Sequence, residues 1–199
     1  MDERDFPGVE RPASIQPIPQ DAVVVFAGEI FEILRWKQVL FDGSKKTFEK
    51  VRRPDTALVL PVVSGSLRIS RQQQPGCRAP FFGLIGGRVE RGEHPAEAAR
   101  RELLEEASLV PRSLDLWVAF QPLAKIEWSV FVFVAKNCTS SDASTPDPGE
   151  IIELVDVSLE ELIALAGAES FRDVGVALHL LRIAADPAQL DNARAYLGL

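Results

Sequence analysis

The sequence predicts an α+β protein, an α/β/α sandwich around a mixed sheet, with an antiparallel β-hairpin unit in front of it. Three observations carry that expectation. Apolar and aromatic strand-like runs fill most of residues 22–73, one highly charged helix interrupts the strand pattern near residues 95–107, and further strands lead into a group of C-terminal helices. Strands, helix, strands and then helices do not make the regular alternation of a parallel βαβ fold.

Each element has its own signal. Residues 1–21 are acidic and Pro-rich with no apolar core, so they read as an extended segment, neither secretory signal nor membrane span. In residues 22–56, apolar runs break at Ala27-Gly28 and at Asp42-Gly43, the second a strong hairpin signal, and this stretch is expected to form a separate β unit. The main domain is then residues 57–199. ALVLPVV and SLRISRQQ, parted by Ser64-Gly65, predict another hairpin. Gly86-Gly87 and Gly92 read as a glycine-rich turn opening a helix at Pro95, because proline lacks the N–H that would go unpaired at a first helical position. Ala99 and Leu103 give that helix an apolar stripe, and it should end near Ala107. LDLWVAFQP and EWSVFVFVAKN read as strands, residues 138–150 as a polar loop, and EIIELVDVS as a last strand. Ser158 with Glu161 is a capping box starting a helix, and two more amphipathic helices follow in FRDVGVALHLLRIAAD and PAQLDNARAYLGL.

Composition narrows the function classes. With 199 residues and 46% hydrophobic content, the chain has room for one ordinary domain plus a small appended unit. A net charge of −7 argues against a sequence-independent nucleic-acid binder, which needs a basic surface to displace counterions. Cys77 and Cys138 are too few for a disulfide framework and read as free thiols in a reducing compartment. No stretch suits a bilayer, so the expectation is a soluble, cytoplasmic protein without a membrane partner.

The chemistry concentrates between Gly86 and Leu109. Glu102, Glu105 and Glu106 fall within roughly 100° of arc on a helix advancing about 100° per residue, so they share a face. Like charges at that spacing repel. Either the face is simply solvated, or a hard cation such as Mg²⁺, which takes oxygen ligands, neutralises it. His94 sits at the expected N-cap and reads as local structure, and His179 inside a C-terminal helix reads as a packing residue.

Gly87, five residues, Glu93, seven residues, then Arg101-Glu102-Leu103-x-Glu105-Glu106 with aliphatic Leu109 resembles the Nudix box, the metal-binding signature of enzymes that hydrolyse nucleoside diphosphates linked to another group. One position departs: Ser108 stands where the family usually has Gly, a place suited to a left-handed helix end. The resemblance implies a Nudix-type sandwich, Mg²⁺ with Mn²⁺ as a possible substitute, and Glu102, Glu105, Glu106 and the Gly86 carbonyl as metal ligands. Glu93 is expected to orient Arg101 or to reach the metal through a water, rather than ligate it directly.

Beyond the box, the N-terminal hairpins, Arg71-Gln72 and a Glu-containing strand before the C-terminal helices resemble the ADP-ribose pyrophosphatase branch. That implies a nucleotide-sugar substrate and a homodimer built through the N-terminal strands. It also implies a catalytic base from a later loop, Glu150 or else Glu153, completing a catalytic set with Glu105, Glu106 and Arg101. Arg52, Arg53 and Arg71 are either phosphate clamps or solvated cations. Trp36 and Phe82 either stack on a nucleobase or pack in a sheet. The segment before the box departs from the branch, with Gly83 and Ile85 where an acidic residue and a proline are frequent. Alternative readings are a Nudix hydrolase of triphosphates or dinucleotides, and a non-catalytic nucleotide sensor. The sensor would need a DNA-binding unit, and residues 158–199 hold six acidic against three basic residues.

Overall fold

The computed structural model describes residues 8–142, 149 and 151–199. Two sheets organise it. The first is four-stranded, in the order β1 (Val23–Ala27), β2 (Glu32–Val39), β3 (Lys45–Arg52) and β10 (Ile126–Glu127). The Asp42-Gly43 turn joins β2 to β3 in an antiparallel hairpin, with Gly43 at φ +80°, where glycine carries no Cβ penalty. β10 adds to β3 in parallel, so this sheet takes its fourth strand from far along the chain.

The second sheet is mixed. Its order is β13 (Ile151–Val157), β5 (Ser66–Gln73), β4 (Thr56–Val63), β11 (Val130–Lys136) and β9 (Ser113–Phe120). β4 runs parallel to β11 and antiparallel to β5. Short β6 (Phe81–Gly83) pairs with β5, and β7 (Ile85–Arg88) pairs with β4. Gly86 and Gly87 therefore lie in a strand, where the sequence suggested a turn. The reason is backbone proximity: a Cβ on Gly86, whose φ is +142°, would stand 2.2 Å from the Ala57 carbonyl oxygen.

Alternation along β4 and β11 divides the core into two layers. Ala57, Val59, Phe131 and Phe133 face α1 (Pro95–Ala107) and its buried Ala96, Ala99 and Leu103. Leu58, Leu60, Val130, Val132 and Val134 face the other side, against α2 (Leu159–Ala166), α3 (Val174–Ala184) and α4 (Pro187–Leu197). The result is the expected α/β/α sandwich. Helix ends follow their signals: His94 caps α1 in a capping box with Glu97, Ser158 caps α2 with Glu161, and Ser108 closes α1 in the left-handed region at φ +54°. The polar run after Cys138 begins as β12 (Thr139–Ser140), paired with β8 (Leu109–Val110).

The segment before β1 is fastened more firmly than its composition suggests. Arg11 pairs with Asp55 at 2.8 Å and with Glu127 at 2.7 Å, and Ser14 Oγ donates to Glu127 at 2.7 Å. Lys50, 1% exposed, donates to Glu127 at 2.6 Å and to the Gln16 carbonyl at 2.7 Å. A buried ammonium needs such partners. No helix among the described residues is long and apolar enough to cross a membrane.

Candidate active site

A large cleft runs from the acidic face of α1, past β7 and the end of β3, to the start of α3. Gly86, Arg101, Glu102, Glu105, Glu106 and Arg53, all singled out in the sequence, line it together. Arg101 organises the acidic end. Its guanidinium donates to Glu93 at 3.0 Å, Glu102 at 2.8 Å, Glu105 at 3.1 Å and the Arg88 carbonyl at 3.0 Å. Glu93 thus orients Arg101, one of the two roles expected of it, and Arg101 is held further toward its charged form. Burial pushes the Glu93 carboxyl up, but Arg101 and the Glu90 N–H outweigh it and leave it lowered. Burial raises the Glu102 carboxyl, with Arg101 opposing.

Glu106 turns the other way and accepts the Gly86 N–H at 3.1 Å. Among the described residues, no group of three His, Cys, Asp or Glu side chains converges on a single metal position. The donor chemistry nonetheless fits a hard cation: three carboxylates share one cleft wall, one of them, Glu102, partly buried at an electrostatic disadvantage that a cation relieves.

Arginines line other parts of the cleft. Arg53 lies over the Trp128 ring at 4.7 Å and is lowered by burial and then by the charges of Arg88 and Arg172. Arg172 lies over Phe81 at 4.5 Å and donates to Gln74 at 2.6 Å. Cations that disfavour one another in a half-buried wall make a receptive place for phosphate oxygens. Trp128 is fixed by its indole N–H, which donates to Thr56 Oγ1 at 3.0 Å.

Four of the candidate substrate residues lie outside the lining of this cleft. Trp36 is 5% exposed and packs against Phe48 in the N-terminal sheet, with ring centroids 6.0 Å apart. Arg52 pairs with Glu32 at 2.6 Å and Arg71 with Glu153 at 3.1 Å, both outside the cleft lining. Phe82 packs on the core and bridges to Phe171, while its neighbour Phe81 faces the cleft, as strand alternation requires. Glu150 lies outside the described residues. His94 Nδ1 accepts the Ala96 N–H at 3.2 Å, a structural role. His179 packs edge-on against Trp117 at 5.0 Å, and burial lowers it. Arg88, Trp128, Arg172 and Asp173 were not singled out in the sequence. Each is a single residue in a strand, a strand-like run or a helix start, and no motif marks it.

With the geometry in place, comparison with known proteins defines the class. The family model described as NUDIX domain matches residues 52–177, and the chain belongs to this family of pyrophosphohydrolases. The resemblance lies with the ADP-ribose pyrophosphatase branch. The chain is 25% identical over 156 residues to the ADP-ribose pyrophosphatase of Bacillus subtilis (strain 168), covering 77% of this chain and 84% of the relative. It is 22% identical over 142 residues to the methanol dehydrogenase activator of Bacillus methanolicus, covering 70% and 77% respectively. Its fold matches the crystal structure of an ADP compounds hydrolase with a TM-score of 0.69 at 21% identity, over 86% of this chain and 95% of that one.

Proposed function

We propose that this enzyme hydrolyses the pyrophosphate bond of ADP-ribose or a related nucleoside diphosphate sugar, with Mg²⁺ as its metal and Mn²⁺ as a substitute. The products are a nucleoside monophosphate and a sugar phosphate. One observation carries the reading: a single cleft holds both the carboxylate face of α1 and the Arg53, Arg88 and Arg172 group. The relatives named above support it.

Glu102, Glu105, Glu106 and the Gly86 carbonyl would hold the metal, which when bound neutralises phosphate charge and acidifies a water. Arg101 positions Glu102 and Glu105 and keeps their charges compensated when substrate is absent. Arg53, Arg88 and Arg172 grip phosphate oxygens, and the Trp128 and Phe81 rings hold two of those guanidiniums in place. Glu150 takes the proton from the attacking water.

The reading includes a cytoplasmic homodimer in which residues 22–56 form the dimerisation unit, preceded by the 1–21 segment and followed by the 57–199 catalytic domain, with no nucleic-acid partner. Val23, Val24, Val25, Phe26 and Phe31 are exposed on the N-terminal sheet and its β1–β2 turn, a surface suited to a second copy. Light scattering on wild type and Phe26→Glu checks the dimer. The activity test is a panel of nucleoside diphosphate sugars, dinucleotides and triphosphates with Mg²⁺. AMP and ribose 5-phosphate are expected from ADP-ribose, and Glu106→Gln should lower turnover by on the order of 10²-fold or more. Tight binding of ADP-ribose without cleavage by wild type would instead identify a sensor.

A further inference from the structure

Gly83 and Asp173 meet in the cleft wall. A Cβ built on Gly83 would stand 3.0 Å from Asp173 Oδ2, and that oxygen accepts the Leu84 N–H at 2.8 Å. A carboxylate therefore occupies the space beside a position that has no side chain of its own. Its location is rigid. The Phe82 N–H donates to the Ser170 carbonyl at 2.7 Å and the Arg172 N–H returns to the Phe82 carbonyl at 2.8 Å, lacing the segment before α3 to β6. Gly175 packs so closely on Phe120 that a Cβ there would stand 2.2 Å from the ring.

The carboxylate has no structural task that uses its full capacity. Asp173 is the N-cap of α3, yet its side chain makes no capping hydrogen bond. Its neighbour Arg172 is turned onto Phe81 and Gln74. The Leu84 N–H is the hydrogen bond this carboxylate makes among the described residues, although two carboxylate oxygens offer about four acceptor positions. The residue is half-buried, and burial raises its carboxyl while Leu84 and Arg172 draw it down. The surface it retains lines the cleft. A half-buried acceptor with spare capacity, facing the cleft, suits a donor from a ligand. Among the parts of a nucleotide sugar, the phosphates offer none, whereas the sugar hydroxyls do and so does the exocyclic amino group of an adenine; the deoxy ligands below separate the two.

We propose that Asp173 accepts a hydroxyl of the substrate's sugar and is a specificity-determining residue of this cleft, an inference that rests on the nucleotide-sugar reading above. A site built to pair a hydroxyl rejects ligands lacking it, because its acceptor is then left buried and unpaired.

The test is binding of product-sized ligands, measured by calorimetry on wild type, Asp173→Asn and Gly83→Ala. Asparagine keeps an oxygen for the Leu84 N–H but turns an NH₂ donor toward the cleft. Alanine at position 83 crowds the carboxylate without removing it. AMP with its 2′- and 3′-deoxy forms, and ribose 5-phosphate with its 2- and 3-deoxy forms, separate the nucleoside sugar from the distal one. Wild type is expected to bind one parent ligand about tenfold tighter than its deoxy form. Asp173→Asn should lose that preference, Gly83→Ala should weaken it, and inorganic phosphate affinity should stay unchanged. Equal affinity of wild type for every parent and deoxy form, no binding of any of them, or an unchanged preference in a folded Asp173→Asn overturns the proposal. None of these ligands is turned over. A wild type that fails to cleave ADP-ribose therefore overturns the substrate reading alone, and the binding ratios still decide the role of Asp173.

Discussion

A Cβ built on Gly87 would lie 2.4 Å from Glu102 Oε1, so the strand and the acidic helix face share space that only a glycine leaves open. The clash is with the far end of a flexible side chain, so Gly87→Ala can fold by rotating Glu102 aside. The expected outcome is a melting temperature near that of wild type with turnover lowered on the order of 10²-fold, because a carboxylate proposed to hold the metal is displaced. Unchanged turnover would show that Glu102 has no fixed place in the chemistry.

Arg101 is the internal counter-charge of the acidic cluster. Removing it leaves the partly buried Glu93 and Glu102 without the cation that pairs with both. Arg101→Ala should destabilise the protein by about 1–3 kcal/mol in chelator. Millimolar Mg²⁺ should restore part of that loss, since a ligand bound only by the folded state stabilises it. Thermal unfolding with and without metal reads both effects. A deficit that Mg²⁺ leaves untouched would contradict a metal seat beside Arg101.

The acidic end of this site was legible in the sequence because it is local. Helical spacing puts Glu102, Glu105 and Glu106 on one face, Pro95 marks where that helix begins, and Glu93 reaches Arg101 within the same segment. The arginine group was not legible because it is assembled by topology: Arg53 follows β3, Arg88 ends β7 and Arg172 precedes α3. Of the three expected clamps only Arg53 lines the cleft, since the pairing of β5 with β13 places Arg71 opposite Glu153 and β2 with β3 places Arg52 opposite Glu32. Phe81 and Phe82 illustrate the same limit at one-residue resolution. Both are aromatic, and only the register of β6 decides which one meets the cleft.

Glu150 and Glu153 make separable predictions as candidate bases. Glu153 is exposed and held by Arg71 at 3.1 Å on the outer strand, outside the cleft lining. Glu153→Gln should therefore leave kcat within about twofold, an exposed ion pair contributing little. Glu150→Gln should lower kcat on the order of 10²–10⁴-fold with a smaller change in KM, the pattern of a lost general base. Steady-state kinetics on both variants decides between them, and the reverse ranking would move the base to Glu153.

Glu127 of β10 ties the N-terminal segment to Lys50 of β3, and its charge should set the acid limit of stability. Burial alone would raise its carboxyl, but Lys50, Ser14 and Arg11 outweigh that and hold it at about 2, below the ordinary 4.5. For a carboxylate lowered in the folded state, the stabilisation is complete above the unfolded value and disappears as pH falls through the folded one. The relevant window is therefore pH 4.5 down to about 2. Glu127→Gln removes the titrating group and strands buried Lys50, so the variant should be less stable than wild type at neutral pH. Urea unfolding between pH 7 and pH 2.5 should show that gap constant down to about pH 4.5 and narrowing below it. A gap of the same size at pH 2.5 as at pH 7 would mean that the Lys50–Glu127 pair does not control acid unfolding.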